Sequence, residues 1–177
     1  MNAAVRIQLA PRLDQVDIRL DPMDQALAAR VAAAIGIRLP IIANTAASSP
    51  TGESHVLWLG PDEWLIVGPS GSAAATETVI RAAAAGSLVT SVDVSDNRVG
   101  LEVAGRDARA LLAFGCALDL DPRHFRPGSC AQTMVARAGV IIWALADEPS
   151  PTFRLLVRPS FAPYLEAWLR DAEAGLG

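Results

Sequence analysis

The sequence predicts an α+β protein built from two similar halves, each with a mostly antiparallel sheet and helices on the outside. Apolar runs of strand length alternate with helical patterns, and their order repeats. Asp17–Leu39 indicates strand, turn, helix and a glycine stop, and Gly100–Leu120 repeats that order. Val56–Ala85 indicates strand, turn, strand and helix, and Ile141–Ala172 repeats it.

The repeat has too few copies for a solenoid. We therefore predict one unit over residues 1–177, with an internal repeat at approximately 15–90 and 91–173. The halves are duplicated strand–helix–hairpin–helix units packed about a pseudo-twofold axis. Trp58 and Trp143 fall at matching places in the first strand of the two hairpins.

The first half opens with an alternating strand at Asp17–Leu20. Asp21 is a suitable N-cap and Pro22 a suitable first helical residue, and Gly36 is the expected helix stop. The apolar residues of this helix recur every four positions. They are Leu27, Val31 and Ile35.

A polar loop is predicted over residues 44–54, followed by a hairpin and a helix. The hairpin strands are Val56–Leu59 and Trp64–Val67, with turn chemistry at 60–63. Ala73–Ala85 is the helix, with Ser72 as its N-cap.

The second half contains five predicted strands, a short helix at Asp107–Phe114 that ends at Gly115, and a last helix that starts at Ser160. The expected apolar stripe of the last helix is Phe161, Leu165, Trp168, Leu169 and Ala172. The strands are expected at Ser91–Val94, Val99–Val103, near Gln132–Arg137, Val140–Leu145 and Phe153–Val157.

Several strands are apolar without alternation, which indicates burial on both faces. The runs are VLWL, WLIV and VIIWAL. Either the two sheets pack on each other, or a partner subunit covers the remaining apolar surface. A mean hydropathy of +0.30 is compatible with both arrangements.

Composition excludes several function classes. With 19% charged residues and a net charge of −4, the chain is neither disordered nor equipped with the basic face of a nucleic-acid binder. No apolar stretch reaches the roughly 18 residues of a membrane span. The N-terminal sequence lacks the apolar core of a secretory signal. We therefore expect a cytoplasmic protein without a membrane or nucleic-acid partner.

No catalytic or metal-binding pattern is visible in the residues. His55 follows a polar loop and His124 lies in a surface-type segment, so neither is expected to be catalytic. Cys116 and Cys130 form no CxxC pair and are expected to be free thiols. The sequence lacks GxSxG, a phosphate loop and a dinucleotide fingerprint. The residues alone indicate a non-catalytic interaction domain.

Several short motifs occur together along the chain. They are SVDVS, VAGRDARALL, FRPG with the later QT, and FRLLV. This set resembles the pattern of the folate-binding aminomethyltransferase superfamily. The further segments LGPDEWLI, GCALDL and SFAPYLEAWLRDA narrow the resemblance to the gamma subunits of heterotetrameric sarcosine oxidases. It covers roughly residues 10–173, and the joint occurrence of the motifs makes it specific.

The resemblance implies an aminomethyltransferase folate-binding-domain-like fold and a place in a complex of alpha, beta, gamma and delta chains. Such a complex oxidatively demethylates sarcosine to glycine and passes the one-carbon unit to tetrahydrofolate. It uses FAD, FMN, NAD, tetrahydrofolate and zinc, none of them bound by the gamma chain, which docks directly against alpha.

One departure from the superfamily motif argues against folate chemistry in this chain. The resemblance aligns Ile142 and Trp143 with the acidic residues of the aminomethyltransferases, and Arg158 with an Asn that ends their last core strand. An apolar pair cannot accept a proton from the folate amine. We therefore predict no catalytic residue, no metal site and no bound cofactor.

Two alternatives remain open at this stage. In the first, the chain is a free-standing folate-binding aminomethyltransferase-like protein. Its vestigial pocket would then be formed by Asp93, Arg98, Gln132 and Trp143. The simpler interpretation makes Asp93, Ser95 and Arg98 a local polar network at a strand end. In the second alternative, the chain is an unrelated homodimeric module.

Overall fold

The computed structural model describes residues 4–176. This part of the chain forms ten strands, four α-helices and one 3₁₀ turn, Pro159–Phe161. In chain order the elements are β1 (Arg6–Leu9), β2 (Leu13–Leu20), α1 (Gln25–Ile35), β3 (Ala46–Ser48), β4 (His55–Gly60), β5 (Glu63–Pro69), α2 (Ala73–Ala84), β6 (Val89–Asp93), β7 (Val99–Ala104), α3 (Ala108–Ala113), β8 (Cys130–Val135), β9 (Ala138–Ala146), β10 (Thr152–Val157) and α4 (Ala162–Ala174).

The chain divides into two compact units. The first unit is Arg12–Asp96, and the second unit joins the segment ending at Pro11 to the segment beginning at Asn97. Each holds one five-stranded sheet, ordered β3-β4-β5-β2-β6 in the first and β8-β9-β10-β7-β1 in the second. All neighbouring strands are antiparallel. The predicted α+β class with duplicated antiparallel halves is confirmed.

The two sheets differ in which part of the chain supplies one edge. In the first unit the strand beside β2 is β6, which follows α2 directly along the chain. In the second unit the equivalent place beside β7 is filled by β1, which precedes the whole first unit. The N-terminal strand therefore completes the second sheet, an arrangement that short-range sequence patterns do not indicate.

The first unit has its core between one sheet face and α1 and α2. Leu27, Val31 and Ile80 of the helices pack with Ile18 and Val56 of the strands. The opposite face of this sheet is buried as well, and the alternate strand residues on it are apolar. These include Leu57, Leu65 and Val67.

The second unit repeats this plan with α3 and α4. Leu111, Leu165 and Leu169 of the helices pack with Phe153 and Ile142 of the strands. The opposite sheet face again carries buried residues, Ile141, Trp143 and Leu156. The sequence prediction of strands buried on both faces is therefore confirmed in both sheets.

Helix α1 starts later than the sequence predicts. Asp24, not Asp21, is its N-cap, and the Asp24 carboxylate accepts a hydrogen bond from the Leu27 amide at 2.9 Å. Asp21 instead accepts from the Met23 amide at 2.9 Å, which closes a turn before the helix. The predicted stop is correct, because Gly36 adopts a left-handed φ of 69°.

The start of helix α2 is capped by a side chain of strand β2. Ser72 lies at the N-cap position but its side chain makes no capping hydrogen bond, contrary to the prediction. A carboxylate oxygen of the buried Asp14 in β2 accepts hydrogen bonds from the amides of Gly71 and Ala73, each at 2.9 Å. Asp14 thus satisfies amides that the helix itself leaves unpaired.

Three further predictions about local structure were wrong. Residues 44–54 contain a short edge strand, β3. Phe161 is exposed rather than part of the apolar stripe of α4, which begins at Ala162. Trp58 packs on the helix-covered face of its sheet, whereas Trp143 points to the opposite face of its own, so the two are not equivalent. A one-residue offset in alignment reverses the face of a strand residue.

Gly115 follows α3 for a packing reason rather than a conformational one. A Cβ at this position would lie 2.5 Å from Cη2 of Trp168. The indole of Trp168 in α4 therefore packs directly on the Gly115 backbone, where a side chain does not fit.

We expect Asp14→Ala to destabilise the chain by about 2 kcal/mol, since it removes a buried acceptor from two helix amides. Ser72→Ala should change stability by less than about 0.5 kcal/mol because Ser72 caps nothing through its side chain. Urea unfolding followed by circular dichroism measures both. Asp14→Asn, which keeps one acceptor oxygen, should fall between them. Equal effects of Asp14→Ala and Ser72→Ala would contradict this account of the cap.

Candidate functional site

Strand register brings three predicted or aligned polar residues to one end of the second sheet. Val157 of β10 pairs with Val99 of β7 on one side and with Val140 of β9 on the other. Arg98 therefore precedes β7 at the end where Arg158 follows β10. Gln132 of β8 pairs with Ile141 of β9.

These side chains line an open cavity of about 230 Å³. Its polar side chains are those of Arg98, Gln132, Thr133 and Arg158. The Arg158 guanidinium donates to Oδ1 of Asn97 at 3.0 Å, and in the described part of the chain it makes no ion pair. Guanidinium and amide groups can hold an anion such as a carboxylate. None of them is suited to exchange a proton near neutral pH.

Asp93 is held in a local turn at the end of β6 in the first unit. Its carboxylate accepts hydrogen bonds from the hydroxyl and the amide of Ser95. These bonds hold the pKa of Asp93 below its usual value, with a smaller contribution from the positive charge of Arg12. Asp93 and Ser95 thus form a local polar network at the end of a strand, as the simpler interpretation predicts.

Trp143 belongs to a row of side chains that crosses four strands. Direct cross-strand pairing places Trp143 of β9, Arg154 of β10, Glu102 of β7 and Gln8 of β1 in one line. The Arg154 guanidinium lies 5.7 Å from the Trp143 ring centroid and forms an ion pair with Glu102. The Gln8 amide donates to Glu102 at 3.1 Å. Trp143 does not line the cavity of Arg98 and Gln132.

The charge state of this row excludes a proton-transfer role. Burial raises the pKa of Glu102, but the hydrogen bonds from Arg154 and Gln8 lower it by a larger amount. The pKa of Glu102 is therefore below its usual value. Glu102 is consequently ionised at neutral pH and already engaged by two donors. Sequence reasoning missed the row because only the register shows that these four residues are neighbours.

The positions aligned with aminomethyltransferase carboxylates are buried and apolar. Ile142 is fully enclosed in the core of the second unit, and Trp143 is 3% exposed beneath Arg154. Neither offers an acceptor to a folate amine. The residues present at this place therefore do not fit the folate chemistry of the superfamily.

The two histidines lie in separate surface settings. His55 of β4 is the cross-strand partner of Ser48 of β3, and its Nδ1 is 2.9 Å from the Ser48 hydroxyl as a consequence of that register. His124 pairs with Asp119 in the connection after α3. The hydrogen bond that the His124 ring donates to Asp119, together with the negative charge of Asp119, raises the pKa of His124 above its usual value.

The described residues contain no group of three or more His, Cys, Asp or Glu side chains that could hold a metal ion. Cys116 and Cys130 are both buried. Within residues 4–176, none of the helices combines the length and the apolar character needed to cross a membrane.

The fold places the chain in a known structural class. It matches the glycine cleavage system aminomethyltransferase T from Bartonella henselae with a TM-score of 0.67 at 16% identity, over 94% of this chain and 45% of that one. This likeness shows the fold alone, and it confirms the predicted aminomethyltransferase-like architecture.

The sequence then identifies the family. The model of the sarcosine oxidase, gamma subunit family matches residues 19–175, so the chain belongs to that family. The resemblance inferred from the motifs is confirmed.

Individual relatives agree with this assignment. Sarcosine oxidase subunit gamma from Arthrobacter sp. is 37% identical over 158 residues, which are 89% of this chain and 74% of the relative. A chain of the heterotetrameric sarcosine oxidase from Corynebacterium sp. U-96, solved in complex with pyrrole 2-carboxylate, matches with a TM-score of 0.87 at 29% identity. That match covers 97% of this chain and 84% of the solved one.

We predict that Asp119→Asn lowers the pKa of His124 towards its ordinary value, because the substitution removes the charge that favours the imidazolium. In the native chain the raised pKa means that the pair stabilises the fold below the ordinary histidine pKa. This contribution is lost as pH rises through the folded value. Titration of the histidine ring signals by NMR measures the shift, and the His55 signals serve as the internal control. An unchanged titration of His124 would show that Asp119 does not engage it in solution.

Proposed function

We propose that this chain is the non-catalytic structural gamma subunit of a heterotetrameric sarcosine oxidase. The complex would oxidise sarcosine to glycine and pass the one-carbon unit to tetrahydrofolate. One observation carries the non-catalytic part of the proposal. The aminomethyltransferase-like scaffold has two buried apolar side chains, Ile142 and Trp143. The sequence resemblance aligns them with the acidic residues of the aminomethyltransferases.

The proposal assigns the cofactors of the complex, FAD, FMN, NAD, tetrahydrofolate and zinc, to the other chains. The alpha subunit is the direct partner, and the beta and delta subunits complete the assembly. Membership of the gamma subunit family and the match to a chain of a heterotetramer support these assignments. We also assign the complex to the cytoplasm, where the thiols of Cys116 and Cys130 would stay reduced.

The cavity of Arg98, Gln132 and Arg158 favours a second candidate, a free-standing folate-binding protein, because its cationic lining suits the carboxylates of a folate tail. The cavity is open and lacks an acidic group among its lining residues. It could therefore retain an anion but could not perform the proton transfer of an aminomethyltransferase. The structural role agrees both with this lining and with the buried apolar side chains of Ile142 and Trp143.

We expect Asp93→Asn and Arg98→Ala, made in the assembled oxidase, to lower the yield of complex or its thermal stability more than the turnover per bound flavin. Asp93→Asn weakens the Ser95 turn, and neither residue takes part in chemistry. Size-exclusion yield, melting temperature and flavin-normalised oxygen consumption measure the three quantities. Asp171→Asn, at an exposed position of α4, is the control. A large loss of turnover in a fully assembled complex would reveal a catalytic role.

Titration of the isolated full-length chain with tetrahydrofolate separates the two candidates. We expect no saturable binding in the micromolar range, because Ile142 and Trp143 cannot engage the pterin amine. Isothermal calorimetry under reducing, anaerobic conditions is the measurement. Saturable binding that Arg98→Ala abolishes would favour the folate-binding candidate.

A further inference from the structure

An apolar groove runs along the surface of the first unit between α1 and the hairpin of β4 and β5. Its volume is about 470 Å³. Helix α1 contributes only methyl groups to it, from Ala28, Ala29 and Ala32, and the hairpin contributes the rings of Trp58 and Trp64. We call this surface the α1 groove. Small side chains on a helix allow a partner's atoms to approach its backbone closely, and the indoles provide a large apolar wall.

The rim of the α1 groove carries large aliphatic side chains in water. Ile41 lines the groove and is 90% exposed, and the adjacent Ile42 is 69% exposed. Met23, next to the lining residue Pro22, is 81% exposed. Single exposed apolar residues are common on protein surfaces, but contiguous clusters beside an apolar groove mark interaction sites.

Hydrogen bonds fix the backbone of the segment that carries these isoleucines. The Trp64 indole N–H donates to the carbonyl of Pro40 at 2.8 Å, and the Thr45 hydroxyl donates to the carbonyl of Ile42 at 2.7 Å. The segment is therefore anchored on both sides of Ile41. A partner binding here would meet a pre-ordered surface and lose little of its binding free energy to ordering.

One charged residue faces the groove. Arg38 is exposed among the lining residues, and within residues 4–176 it makes no ion pair. The lining includes no acidic residue. If two copies of this chain packed groove to groove about a twofold axis, their Arg38 side chains would have no carboxylate in either groove to pair with. The occupant that suits this surface offers a large apolar side chain together with a carboxylate.

We propose that the α1 groove is the surface through which this chain docks on the alpha subunit of the oxidase. That subunit inserts an aliphatic or aromatic side chain between α1 and Trp58 and brings a carboxylate to Arg38. The inference rests on the proposed function, because it requires that the chain is part of the complex. It adds which face makes the contact and what the contacting segment of the partner contains.

A competition experiment tests the docking surface. The native chain and one variant, with different affinity tags, are co-expressed with the remaining oxidase subunits, and mass spectrometry measures how much of each enters the complex. We expect Ile41→Glu to be incorporated at least about tenfold less than the native chain, because it places a charge in the apolar contact. Arg38→Glu should be disfavoured as well, and Arg38→Lys less so, because lysine keeps the positive charge.

Leu88→Glu is the matched control. Leu88 is 89% exposed, lies in the same unit and is outside the α1 groove, so its variant should enter the complex as well as the native chain does. Circular dichroism and melting temperature of each free variant show that it is folded. A variant of Ile41 that competes as well as Leu88→Glu would overturn the assignment of this surface, and so would a dominant homodimer that Ile41→Glu dissociates.

The experiment also separates this inference from the proposed function. If the native chain itself does not enter a complex with the other subunits, the proposed function fails. If the native chain assembles and the Ile41 and Arg38 variants assemble equally well, only the docking surface is wrong.

Discussion

The register of the antiparallel strands is the constraint on which most of the structure depends. In the second unit it aligns Val99, Val157 and Val140 at one end of the sheet, which sets Arg98 and Arg158 beside one cavity. The same register places Trp143 and Arg154 in one row across the strands. A shift of a single residue would turn each of these side chains to the other face of the sheet. Because apolar residues occupy both faces of the central strands, such a shift would also put Arg154 or Glu102 into the helix-covered core.

The same scaffold plan appears twice, yet the two units use polar residues differently. In the first unit Asp14 is buried to cap α2, so a carboxylate stabilises a helix start. In the second unit Glu102 is buried to fix Arg154 against Trp143. Both acids accept hydrogen bonds from donors fixed by the fold. The same sheet-and-helix plan therefore carries different polar arrangements in its two units, which agrees with the general rule that function belongs to the site and not to the fold.

The chain belongs to the sarcosine oxidase gamma subunit family, and its two surface cavities differ in character. The cavity of Arg98 and Arg158 is open and cationic, whereas the α1 groove is apolar and bounded by side chains held outward. Protein interfaces are enriched in aromatic residues, Met and Arg relative to the rest of the protein surface. The α1 groove has this composition. Its rim is ordered by Trp64, a residue whose ring packs in the core while its N–H holds the segment that carries Ile41.

The sequence by itself determined the class of fold, the repeated halves, the hairpin of β4 and β5, the Gly36 stop and the family, because each of these depends on patterns within a few residues or on joined motifs. It also determined that Ile142 and Trp143 leave no acid at the aligned positions. Tertiary structure decided the rest. It placed β1 beside β7, gave the cap of α2 to Asp14 instead of Ser72, and set Trp143 on the face opposite to that of Trp58. The physical reason is that these features depend on strand pairing between residues far apart in the chain, and that pairing fixes neighbours which no local pattern specifies.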